Sequence, residues 1–211
     1  VRDRAADFWT QSASGWGLAD QWIAAATRRT DEPSMIDADR AQSGWSQYNK
    51  PPAALYLLRH HVLSDTGRFD AAFREYLRRW AFKHPTPADF FRTMDDALGE
   101  DLSWFWRGVF YRTDVVDLAV DSVVARPDTT GRRLTSIYLA SRGGLPMPVS
   151  FRLTFTDGTT EVVRLPVEIW YRGNQYVYAR PFRLDVRRVE VDPAQVLPDV
   201  RRGNNVWPGT Q

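Results

Sequence analysis

The sequence contains no cysteine, which removes disulfides, thiolate zinc sites and a cysteine nucleophile together while leaving the compartment open. Histidine is almost as scarce: only His60, His61 and His84 occur. Adjacent residues on a helix point about 100° apart, so His60 and His61 cannot chelate one ion from the same face. There is no His-x-x-x-His spacing, and His84 precedes Pro85 in a connector, where a histidine caps or packs. Also missing are a Gly-x-Ser-x-Gly nucleophile turn, a phosphate-binding loop, internal repeats and low-complexity tracts. No run reaches the roughly 18 apolar residues of a membrane span, so no transmembrane segment is expected. Nor does one sign of charge dominate, with 28 Lys+Arg against 26 Asp+Glu and a net +2. The arginine pairs Arg28–Arg29, Arg78–Arg79, Arg132–Arg133, Arg187–Arg188 and Arg201–Arg202 are scattered and lack interleaved aromatics. They read as solvated surface, and no nucleic-acid partner is expected.

What is present is enough for a sizeable core. The 211 residues, 43% of them hydrophobic, accommodate one large or two small domains. The opening "VRDRAADFWTQ" is neither a signal sequence nor headed by an initiator methionine, and the chain is expected to be cut from something longer.

Hydrophobic period divides the chain near Asp114. Before it the spacing is helical. Phe8, Trp9, Trp16, Leu18, Trp22 and Ile23 predict a short helix pair or a helix and turn, and "RRTDEPSMIDADRAQSG" is a polar connector. A helix to about His61 follows Tyr48, and in the next one Phe69, Phe73, Tyr76, Leu77 and Trp80 are expected to share a face. Thr86, Pro87 and Asp89 spell a capped helix start and Gly99 its left-handed stop. A further helix over Leu102 to Phe110 carries aromatics too dense for one stripe, so some must pack as core against a neighbouring element. Beyond Asp114 the period becomes 2: "DLAVDSVVA", "RLTSIYLAS", "PVSFRLTFT", "TEVVRLPVEIW", "QYVYARPF" and "RLDVRRVEVD" predict six or seven antiparallel strands, up to about Asp192, and then a turn-rich tail. The expected fold class is α+β, helical over 1–113 and a β-sandwich with its tail over 114–211.

Candidate chemistry is sparse. The acidic pairs Asp95–Asp96 and Glu100–Asp101 lie at a helix end and in the following turn, where capping or solvated carboxylates are the rule. Tyr48 stands just where "GWSQYNKPPAAL" enters a helix, two residues before Lys50. A phenol is a neutral donor at pH 7, able to bond an oxyanion that develops in a transition state. On spacing alone the same tyrosine reads first as a core aromatic whose hydroxyl finds a carbonyl.

The stretches "QYNKPPAALYLLRHHV", "FDAAFREYLRRWAFKHPTPADFFRTM" and "GEDLSWFWRGVFY" resemble the latter part of the catalytic domain in the zinc aminopeptidase (gluzincin) family that contains membrane alanyl aminopeptidase and the leukotriene hydrolases. The later strands, with "DGTT" and the "DP…LPD…NN.W" close, resemble the immunoglobulin-like β-domain of a bacterial branch, so the likeness runs from about Phe8 to Trp207. It implies that Tyr48 is the tyrosine that helps zinc stabilise the tetrahedral oxyanion, and that Lys50 is the family's supporting lysine. Many members carry glycine after that lysine where this chain has Pro51, a residue compatible with a helix start. The family's His-Glu-x-x-His helix, its later glutamate ligand and its Gly-x-Met-Glu-Asn strand do not occur here; in the family they lie upstream of the tyrosine. The resemblance therefore implies a C-terminal fragment of a metallopeptidase, with zinc ligands outside this chain, inactive alone, acting on peptides together with the upstream half of its polypeptide. Members of that branch are commonly exported, which points to the periplasm or cell surface. The competing expectation is a non-catalytic interaction or assembly module.

Overall fold

The computed structural model describes residues 17–63, 65–127 and 133–208. Phe8, Trp9 and Trp16, and the helix expected around them, lie outside the described residues. The chain is an α+β protein with a helical part and an antiparallel β-sandwich. It divides into two compact units, one up to Asp114 and one from Val115.

In the helical unit, α1 (Leu18–Arg28) buries Leu18, Trp22 and Ala25, spaced four and three apart as one helical face requires. A continuous helical run then comprises a π turn (Trp45–Asn49), α2 (Lys50–Leu57) and a second π turn (Leu58–Val62). Helix α3 (Thr66–Trp80) starts on the Asp65 carboxylate, which accepts from the N–H groups of Gly67 and Arg68. Helix α4 (Pro87–Leu98) has the full capping box: Thr86 accepts from Asp89 N–H, the Asp89 carboxylate accepts from Thr86 N–H, and Gly99 closes the helix at φ 67°. The two pack through Tyr76 edge-on to Phe90 at 4.8 Å and through Trp80 Nε1 donating to Thr93 Oγ1 at 3.1 Å. Short α5 (Ser103–Trp106) runs into a third π turn (Arg107–Tyr111). Of its aromatics, Phe105, Trp106 and Phe110 are buried, with Trp106 stacked on Phe91 at 4.9 Å. Leu77 does not join the face of Phe69, Phe73, Tyr76 and Trp80. It is 52% exposed, because it follows Tyr76 by 100° around the helix.

In the second unit, β1 (Leu118–Pro127), β2 (Arg133–Ser141) and β5 (Gln175–Phe182) form one sheet in the order β1-β2-β5. The other has the order β4-β3-β6-β7, from β3 (Val149–Phe155), β4 (Thr160–Leu165), β6 (Val186–Val191) and β7 (Val206–Trp207). Burial alternates along β3, with Phe151, Leu153 and Phe155 inward. The sheets face each other through Phe151 and Tyr178 at 5.3 Å and Phe155 and Phe182 at 5.4 Å. Two readings of the sequence need correction. "VEIW" is a 3₁₀ turn, Val167–Trp170, because Pro166 ends the ladder and Trp170 turns inward to donate from Nε1 to the Met147 carbonyl at 2.9 Å. The tail adds a strand: β7 pairs with β6 through Val189–Trp207 and Glu190–Val206.

Candidate functional site

Tyr48 sits on the first π turn. The widening has a local cause. Pro51 and Pro52 have no N–H, so the carbonyls of Gln47 and Tyr48 receive no α-helical bond from them, while Lys50 N–H reaches back five residues to the Trp45 carbonyl. The helical run therefore begins at Trp45, and the prolines fall inside it rather than marking its first residue.

On a helical backbone, residues two apart point roughly 200° away from one another. Tyr48 and Lys50 diverge accordingly: Tyr48 is 80% exposed, whereas Lys50 is fully buried. The tyrosine is thus no core aromatic. Lys50 falls on the buried stripe of α2 with Ala53, Ala54 and Leu57, where an ammonium needs acceptors for all three of its protons. It finds Asp31 Oδ2 at 2.7 Å and the carbonyls of Glu32 and Arg112 at 3.4 Å each. The Trp22 ring centroid lies 5.9 Å from Nζ. Burial holds the Lys50 pKa below its ordinary value, opposed only in part by the hydrogen bond and charge of Asp31 and by the charge of Asp114.

Asp31 ties the segment together. Its Oδ1 accepts from Trp45 Nε1 at 3.2 Å and Ser46 Oγ at 3.3 Å. Ser46 Oγ in turn accepts from Glu32 N–H at 2.9 Å, and the Ser46 carbonyl accepts from Ser34 Oγ at 2.7 Å. Glu32 Oε2 accepts from the N–H groups of Gln42 and Ser43 at 3.1 and 2.9 Å. The connector 31–34 thereby brackets the turn that carries Tyr48 on both sides.

Among the described residues no group of three or more His, Cys, Asp or Glu is placed to hold a metal ion. His60 Nε2 is 2.6 Å from Arg59 Nη1 and its ring stacks on Tyr56 at 4.2 Å. Burial, with His60 adding, pushes His61 down to about 4. Arg59 is itself forked onto Asp70 at 2.7 and 2.8 Å. The described residues do not fit zinc.

No family model and no curated protein matches the sequence. Among solved structures, aminopeptidase A of Legionella pneumophila, determined in complex with aspartic acid, is similar with a TM-score of 0.57 at 13% identity. The match takes in 78% of this chain and 18% of that one. The likeness is one of fold: most of this chain shares its architecture with a part of a bacterial aminopeptidase. No helix among the described residues is long and apolar enough to cross a membrane.

Sequence reasoning missed Asp31, Trp45 and Ser46. A signal existed, since a lysine on an apolar helical stripe demands a buried carboxylate, and Asp31 and Glu32 head the preceding polar connector. What the sequence could not supply was the fold of that connector.

Proposed function

We propose that this chain is the C-terminal portion of a zinc-dependent aminopeptidase and that Tyr48 is its oxyanion donor. In this reading water adds to the carbonyl of a peptide's first bond, and the Tyr48 O–H donates a hydrogen bond to the oxygen as negative charge grows on it. A neutral phenol does so without adding charge to the site. Zinc is held by ligands elsewhere in the polypeptide, and the chain by itself is inactive. The observation that carries the reading is the placement of Tyr48: a large side chain 80% exposed on a turn whose neighbours are bonded into a buried polar network. Its resemblance to the family's tyrosine and the shared fold support it further.

The test is Tyr48→Phe in the full-length polypeptide, assayed with a chromogenic amino-acid anilide. The expected result is a fall in kcat of roughly 10²–10³ with KM little changed; unchanged kcat rejects the assignment. A His-Glu-x-x-His motif encoded within about 100 residues upstream is required as well.

A second reading, a non-catalytic interaction module, draws on the outward face of the β1-β2-β5 sheet. Val124, Leu134, Tyr138 and Val177 are exposed there, and Tyr138 lies beside Ser122 and Val177 in register. Full turnover in Tyr48→Phe would favour it.

A further inference from the structure

The exposed Tyr48 and the buried Lys50 are parts of one construction. Oxyanion stabilisation requires a donor held within about 0.5 Å of its productive position, yet the turn bearing Tyr48 has no side-chain cap of its own. The residues around the tyrosine are instead bonded to Asp31: Trp45 and Ser46 before it, Lys50 after it. The Lys50 and Asp31 side chains are 0% and 4% exposed, so water does not compete for these bonds. The pair is buried inside the helical unit, whereas the Tyr48 side chain is exposed.

We propose that Asp31 and Lys50 are a positioning pair for Tyr48, clamping the π turn on both sides of the tyrosine so that its phenol projects in a fixed direction. The proposal rests on the assignment of Tyr48 as oxyanion donor made above. It gives Lys50 a mechanical part in the chemistry, exerted through the backbone it shares with Tyr48.

Two measurements test it. In the 211-residue chain, the double variant Asp31→Asn/Lys50→Met removes both charges, leaving neither buried alone. Amide hydrogen exchange over residues 45–50 is expected to quicken about tenfold or more while the amides of α3 and α4 keep theirs. Unchanged exchange at 45–50 overturns the clamp. Should the double variant not fold, Trp45→Phe removes one bond to Asp31 with an aromatic ring retained, and the same local quickening is expected.

In the full-length polypeptide the variants are expected to lower kcat about tenfold with KM held within about twofold, and to lower it no further once Tyr48 is Phe. An equal loss with and without the Tyr48 hydroxyl, or no loss where Tyr48→Phe is damaging, overturns the positioning role. If Tyr48→Phe itself leaves kcat intact, the oxyanion assignment fails, and the exchange experiment still decides whether the clamp exists.

Discussion

A charged amine on the buried stripe of a helix is stable only with its partner. In Lys50→Met the Asp31 carboxylate, 4% exposed, keeps its neutral donors Trp45 and Ser46 but loses its cation. Unfolding free energy is expected to fall by about 3 kcal/mol, and most of that is expected to return on adding Asp31→Asn; urea titration of the three proteins measures both. Gly143 shows a different single-residue constraint. A Cβ there would stand 2.1 Å from the Val115 carbonyl oxygen and 2.7 Å from Asp117 N, where Val115 N–H bonds the Gly143 carbonyl at 3.0 Å. Gly143→Ala forces those backbones apart and is expected to destabilise the β unit by about 2–3 kcal/mol, read as a lowered denaturation midpoint.

At the scale of elements, ends and connections carry the testable content. Thr86→Ala removes the side-chain half of the α4 capping box and is expected to cost about 1 kcal/mol, with increased amide exchange confined to the first turn of α4. Past β6, Asp192 adopts a left-handed φ of 47° and buries its carboxylate against Val196 and Leu197 N–H, at 3.0 and 2.8 Å. Burial pushes Asp192 up to about 6 from 3.8, helped by neighbouring Asp199 and opposed by the two N–H bonds and Arg202. A raised folded-state value means that the folded unit holds a proton the unfolded chain has released. This contribution is fully present below about pH 4 and is lost as pH rises through about 6. Between pH 7 and pH 5 the wild-type chain is therefore expected to gain melting temperature relative to Asp192→Asn, which has no proton to bind there; equal slopes for the two would contradict it.

For the whole molecule, metal is the discriminating question. The described residues gather no three-ligand set, and His60 and His61 are engaged with Arg59, Tyr56 and each other. After dialysis against zinc, the 211-residue chain is expected to carry well below one equivalent by elemental analysis. A full equivalent, lost on replacing His60 or His84, would show a site that neither sequence nor fold has revealed. The solved aminopeptidase structure corresponds to this chain over 18% of its own length.

Much of the architecture was legible in the sequence because it rests on local rules. The change of period near Asp114, the cap at Thr86, the stop at Gly99 and the alternation of Phe151, Leu153 and Phe155 all depend on residues within a few positions of one another. That Tyr48 and Lys50 diverge also follows from a two-residue separation on a helix, but the spacing does not say that the lysine is the buried one. Only the tertiary structure decided what holds them. Asp31 is 19 residues from Lys50 in sequence, and Arg112, whose carbonyl also takes a Lys50 bond, is 62 residues away. β7 likewise becomes a strand only because β6 lies beside it. Pairing across such distances is selected by the burial of a charge or a strand edge, which exists only once the chain has closed around it.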